Sequence, residues 1–353
     1  MFASILRSWY DEFGRFLPWR ETSDPYRIWL SEVILQQTRI SQGSDYYLRF
    51  IEEYPTVFDL AKAPEQQVLK SWQGLGYYSR ARNLRKAAIQ VVEQFNGKFP
   101  KTVQELLSLA GVGRYTAAAI ASFAFRVPIP VIDGNVYRFI SRYFGIFTPI
   151  GNDSAYKEFE AVLMKLIDHK RPDLFNQALM DFGSLVCKPI DPQCNDCPFH
   201  NTCVALHLGK VELLPVKMSR TKVSRRFFYY IDADILAADG CHRTWMTQRT
   251  GKDIWKGLYE FPLIETNERL SDTQLRKIVK EWISKQTDCE NEIVTLSPIF
   301  QHQLTHRTIE ARFVRLKIFG NPFPNPENTS LLHRSEIYSL PISRLIDKYL
   351  SQL

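Results

Sequence analysis

The pattern of apolar and polar positions divides the chain in two. Up to about Ala205 it reads mostly as helices, while several segments beyond about Arg226 read as strands. Three helical stretches stand out. Trp29-Leu30-Ser31-Glu32-Val33-Ile34-Leu35-Gln36-Gln37-Thr38 is apolar on several sides. Leu109-Ala110-Gly111-Val112-Gly113-Arg114-Tyr115-Thr116-Ala117 reads as a helix, a tight glycine turn and a second helix, and Ala117, Ala118, Ala119 and Ala121 suit close helix packing. Asp133 then precedes Val136, Phe139, Ile140, Tyr143 and Phe144, an apolar face at helical spacing. Among the later segments, Phe227 to Leu236 reads as a strand.

Two of these helices offer chemistry. Glu32 lies three and four residues from Ile28, Trp29, Leu35 and Gln36, mostly apolar neighbours. A carboxyl in such surroundings loses solvation and favours its protonated form, the condition a general acid needs. A Glu at a helix edge, reaching water or an Arg, is the commoner arrangement, and the helix alone favours it. Asp133 reads as an N-cap. Helix N–H groups and the positive dipole end would keep its carboxylate ionised, so the two carboxyls are expected to have pKa values pushed apart. At the turn, Gly111 and Gly113 let the backbone N–H groups approach an anion. Gly74-Leu75-Gly76-Tyr77-Tyr78-Ser79-Arg80-Ala81-Arg82 puts rings and arginines close together. Rings can stack on bases and arginines suit phosphate, but composition alone favours a turn whose aromatics are core.

Composition narrows the class. The 353 residues suffice for two domains, and 45% hydrophobic with 13% aromatic residues describes a globular chain. The net charge of +7 suits a polyanion, although ordinary solubility charge explains it equally well. The N-terminus turns acidic quickly and has no long apolar core, so it does not read as a signal peptide, and no stretch approaches the ~20 apolar residues of a membrane helix. The expectation is an intracellular, cytoplasmic protein without disulfides. Cys187, Cys194, Cys197 and Cys203 form C-x6-C-x2-C-x5-C. Four thiolates at this density can hold a [4Fe–4S] cluster or zinc; zinc sites usually show two close Cys pairs, and here only Cys194 and Cys197 form one.

The glycine hairpin followed by Val131-Ile132-Asp133-Gly134-Asn135-Val136 resembles the helix-hairpin-helix DNA glycosylases of the endonuclease III superfamily, and within it the MutY adenine glycosylases. The resemblance covers nearly the whole chain. It implies a multi-domain protein: an all-α helix-hairpin-helix glycosylase with an iron–sulfur cluster loop, plus a C-terminal α/β Nudix-like domain. The glycosylase region is expected at 1–208, with a six-helix subdomain at about 21–127 and an iron–sulfur subdomain from 1–20 and 128–208. A linker at 209–226 and a Nudix-like 8-oxoguanine recognition domain at 227–353 follow.

The same resemblance implies residue roles. Leu30-Ser31-Glu32-Val33-Ile34-Leu35-Gln36-Gln37-Thr38 is similar to the family's catalytic helix, with Glu32 on the catalytic acid. Asp133 falls on the group that stabilises the cationic sugar, and Asn135 on a residue bonded within the site. Gln37 matches a residue that pushes into the duplex, an exposed polar position being the alternative, and Tyr77 matches a wedge. Tyr115 stands where strand-cutting relatives carry a Schiff-base lysine, which implies a monofunctional enzyme. Gly111, Gly113 and Arg114 would grip the strand backbone, with a monovalent cation as an optional bridge. The four cysteines match the family's [4Fe–4S] ligands. The implied substrate is double-stranded DNA with adenine opposite 8-oxoguanine or guanine, met by a nucleoid-associated monomer that does not engage membranes.

Two departures matter. The acidic Nudix signature is missing after Trp255-Lys256-Gly257-Leu258-Tyr259-Glu260-Phe261-Pro262, so that domain should recognise rather than hydrolyse. The recognition loop has Leu304-Thr305-His306 where the family usually has Phe-Ser-His. It keeps a hydroxyl and an imidazole but loses an aromatic contact; a plain hairpin with polar tips is the alternative. Arg220, Lys222, Arg225 and Arg226 are either a DNA-facing run or a solvated one.

Overall fold

The computed structural model describes residues 1–218, 224–237, 239–304, 306–320, 322, 325–326 and 328–353. It divides into two compact units, Met1–Lys62 with Asn83–Arg220, and Ala63–Arg82 with Thr221–Leu353. The second unit thus draws in residues 63–82, which no boundary read along the chain anticipates. No helix among the described residues is long and apolar enough to cross a membrane.

The first unit is helical. Its core gathers Phe2 and Leu6, Val136, Phe139 and Ile140 of the helix Gly134–Phe144, and Phe175, Leu179 and Phe182 of the helix Pro172–Leu185. Val136, Phe139 and Ile140 of the expected stripe behind Asp133 are therefore buried, while Tyr143 is half-buried and Phe144 at its far end is 38% exposed. Ala117, Ala118, Ala119 and Ala121 are fully buried. Their small side chains let the helix Arg114–Phe125 pack against Pro25–Leu35 and Pro172–Leu185. Gly183 does similar work: a Cβ there would stand 2.5 Å from the Asn135 carbonyl oxygen, so only glycine admits that approach. The helix Pro25–Leu35 starts on Asp24, whose carboxylate accepts from the Tyr26 N–H at 3.0 Å.

The second unit is built on a mixed sheet. The strand Ser224–Leu236, beginning inside the segment read as linker, runs parallel to Arg307–Phe319 along its whole length. It also pairs antiparallel with Leu263–Thr266 and His242–Gln248. Both faces are covered. Phe228 and Tyr230 join Phe313, Ile346 and Tyr349 on one side, while Tyr229, Ile231, Ala233 and Ile235 join Leu275, Val279 and Ile283 on the other. That alternation is the period of a pleated strand, and cover on two faces explains its almost continuous burial.

Candidate active site

Glu32 sits near the end of the helix Pro25–Leu35 and is buried. The hydroxyl of Tyr115, in the first turn of Arg114–Phe125, donates to its Oε2 at 2.7 Å. Burial pushes the Glu32 carboxyl up to about 7; the Tyr115 hydrogen bond and the Arg20 cation oppose the rise, and the Asp133 charge adds to it. Glu32 therefore keeps about half of its protons at neutral pH, although its own helix favours an ordinary helix-edge glutamate.

Asp133 caps Gly134–Phe144: Oδ1 accepts from the Val136 N–H at 2.7 Å and Oδ2 from Asn135 Nδ2 at 2.7 Å. The expectation that capping alone sets its ionisation needs correction. Burial raises its pKa above the ordinary carboxylate value, against the N–H of Val136 and the side chain of Asn135. Its charge in turn adds to the rise at Glu32. Both carboxyls are thus desolvated; Asp133 accepts from two N–H donors, whereas Glu32 accepts from one hydroxyl.

Glu32, Tyr115, Asp133 and Asn135 line one cavity of about 510 Å³, within the range of small-ligand pockets. Its wall includes Arg15 and Arg20, and Asp181 and Asn176 fix segments that lead into it; the sequence singled out none of the four. Arg15 and Arg20 share the fully buried carboxylate of Asp181, Arg20 at 2.7 and 2.9 Å. Asn176, also fully buried, accepts from the Val131 N–H at 3.0 Å and donates to Ser122 and the Ile129 carbonyl at 2.9 Å, fixing the segment that leads into Asp133. No local signal marks these residues, because their partners lie 45 to 166 positions away.

Behind the cavity a hydrogen-bonded chain runs to the cysteine loop. Asn135 Oδ1 accepts from Arg138, whose Nε donates to the Cys187 carbonyl at 2.7 Å. Arg142, buried at 3% exposure, contacts Cys187 Sγ at 3.4 Å and the Lys188 carbonyl at 2.7 Å. Cys187, Cys194, Cys197 and Cys203 line a second cavity together with Arg142. Among the described residues no three metal-binding groups stand close enough to hold a single ion.

In the hairpin, Gly111 has φ +74° and a Cβ there would lie 2.7 Å from Asn83 Cβ, so both conformation and space require glycine. Gly113 differs: its φ is −91° and nothing lies within 4 Å of a Cβ. Neither strain nor packing accounts for it, and its backbone stays open to an approaching group. Arg114 is exposed and paired with Asp153 at 2.7 Å. Gln37 is exposed at φ +55°, one residue after Gln36, whose side chain donates to Thr116 Oγ1 at 3.1 Å.

In the second unit Tyr77 is 47% exposed at φ +49°. Leu304 is half-buried against the sheet core, with its N–H on the Arg307 carbonyl at 2.7 Å, and His306 is exposed. Thr305, like Arg220 and Lys222, lies outside the described residues. Arg226 is ion-paired with Glu265 at 2.6 Å and Asp253 at 2.7 Å, so this residue of the charge run is tied within its own domain.

Residues 30–169 match the HhH-GPD superfamily of base excision DNA repair proteins, and 235–352 match the NUDIX domain. The chain is 35% identical over 332 residues to an adenine DNA glycosylase of Buchnera aphidicola subsp. Baizongia pistaciae, covering 91% of this chain and 89% of that one. It is 42% identical over 226 residues to an adenine DNA glycosylase of Rattus norvegicus, covering 61% of this chain and 44% of that one. Among solved structures, a thermostable thymine-DNA glycosylase superposes with a TM-score of 0.54 at 29% identity, over 59% of this chain and 95% of its own. A trapped endonuclease III–DNA covalent intermediate does so with 0.52 at 26%, over 59% and 94%.

Proposed function

Since the chain belongs to the adenine DNA glycosylases, hydrolases of base excision repair, we propose that its substrate is adenine opposite 8-oxoguanine or guanine and that Glu32 and Asp133 divide the chemistry of its removal. The observation that carries the assignment is one cavity holding a carboxyl raised to about 7 beside a second carboxyl that accepts from two N–H donors at a helix start. Adenine flipped into the cavity would take the Glu32 proton, at N7, as its N-glycosidic bond breaks. The sugar left behind is oxocarbenium-like, and the Asp133 carboxylate stabilises it. Water adds at the anomeric carbon and its proton passes to the Glu32 carboxylate, restoring the acid. Tyr115 holds Glu32 in place, and Asn135 holds Asp133. Tyr115 carries no amine, so the product is an abasic site in an uncut strand.

Duplex contacts fall to Gln37, Tyr77, Gly111, Gly113 and Arg114, with phosphate meeting the open Gly113 backbone directly or through a monovalent cation. Leu304, Thr305 and His306 would read the base opposite adenine. The left-handed backbones of Gln37 and Tyr77 support probing roles, since such strain collects at functional sites. Cys187, Cys194, Cys197 and Cys203 would hold a [4Fe–4S] cluster, with the buried Arg142 offsetting thiolate charge. When bound, the cluster would cross-link that loop or make it sensitive to redox state, and would supply no electrons to the hydrolysis. The protein would act as a monomer, with the catalytic region in the N-terminal 208 residues and recognition in 227–353.

Single-turnover cleavage tests this. Duplexes carrying adenine opposite 8-oxoguanine, guanine or thymine are incubated and split with or without alkali. Strand breaks are expected only after alkali and fastest opposite 8-oxoguanine. Breaks without alkali would remove the monofunctional assignment, and equal rates on all three would remove the partner-strand readout.

A further inference from the structure

We propose that Asp253 is a positioning residue for the hairpin that carries Leu304 and His306, and through it for discrimination between 8-oxoguanine and guanine. The second half of this inference rests on the readout proposed above. One carboxylate here receives three guanidinium groups. Arg307 donates to Oδ1 at 2.9 Å, while Arg226 and Arg249 lie 2.7 and 3.1 Å from Oδ2. They come from the start of one strand, the start of its parallel neighbour, and the loop between 249 and 257.

Arg226 also pairs with Glu265, and Arg249 with Glu260. Among the described residues, Arg307 has no carboxylate other than Asp253 within ion-pair distance. Arg307 closes the hairpin, because its carbonyl accepts the Leu304 N–H at 2.7 Å and the next residue, Thr308, bonds Gln303 at 2.8 Å. Holding the Arg307 guanidinium therefore orients one arm where it leaves the turn. Two residues beyond Asp253, Trp255 packs its ring edge-on to His302 at 5.5 Å, on the other arm. Trp255 has φ +58°, an uncommon conformation that its surroundings must impose. The same short loop thus grips both arms. Burial favours the neutral acid at Asp253, but the Ile254 N–H and the Arg226 and Arg307 guanidinium groups outweigh it and hold the carboxylate ionised. Asp253→Asn keeps the shape and removes the charge.

The test uses the full chain and duplexes with adenine opposite 8-oxoguanine or guanine. In Asp253→Asn the ratio of the two single-turnover rates is expected to fall at least about tenfold, since small displacements of a positioned group have effects of this order. The rate opposite guanine should stay within about twofold of wild type, and Asp253→Glu should recover part of the ratio. Amide hydrogen exchange at Leu304 and Arg307 should quicken, because their hairpin loses its anchor. A parallel fall of both rates with a lower melting temperature would make Asp253 merely structural and overturn the inference. An unchanged ratio with unchanged exchange would overturn it as well. A wild type without preference for 8-oxoguanine would sink the proposed readout instead; exchange then decides the positioning role, unchanged exchange in the variant refuting it.

Discussion

Glu32→Gln should stabilise the protein more at high pH than at low pH. The native Glu32 carboxyl titrates at about 7, against 4.5 for an ordinary glutamate. Between those values the native chain holds a proton that the unfolded chain has released. Raising the pH through this window therefore costs native stability, and the loss is complete above about pH 8. At 1.36 kcal/mol per pH unit the rise amounts to about 3 kcal/mol, most of it between pH 5 and pH 8.5. No discount for solvent screening applies, because the side chain is buried. Glutamine has nearly the same shape, accepts the Tyr115 hydrogen bond through its carbonyl and never ionises. Urea unfolding of wild type and variant at both pH values, followed by tryptophan fluorescence, measures the effect. The variant's advantage should grow by about 2 to 3 kcal/mol from pH 5 to pH 8.5. A difference that stays constant within about 0.5 kcal/mol would refute a desolvated Glu32, whatever the variant does to catalysis.

The same titration predicts that single-turnover cleavage by the wild type falls about tenfold per pH unit above about 7, and a flat profile to pH 9 would remove Glu32 as the acid. Asn135→Ala takes away a donor that lowers the Asp133 pKa, so the rising limb of the pH–rate profile should move to higher pH, as measured between pH 4 and 7. Gly111→Ala meets both a positive φ and Asn83, and should cost about 1–3 kcal/mol in denaturant unfolding and weaken duplex binding in a fluorescence titration. Cys197→Ser should reduce bound iron and the broad absorption near 400 nm of the purified protein; undiminished iron would exclude Cys197 as a ligand.

Much of the site was legible along the chain because its parts are local. The cysteine spacing, the glycine hairpin and the run from Asp133 to Val136 each combine residue types within one turn or loop, and the structure gathers each of them around a cavity or turn. Resemblance added what spacing could not, the choice of Glu32 over an ordinary helix-edge glutamate. The sequence alone thus determined the helical first region, the strand at Phe227–Leu236, the capping aspartate and the density of thiols. Tertiary structure decided the rest. It brought Tyr115 to Glu32 across 83 positions, set Asp181 between Arg15 and Arg20, and placed three arginines on Asp253. It also overturned the assumption that a cap suffices to set the Asp133 pKa, since burial there opposes the cap. The physical reason is one of range. Backbone preference and side-chain periodicity act over a few residues, whereas desolvation and charge pairing depend on which distant segments exclude water together.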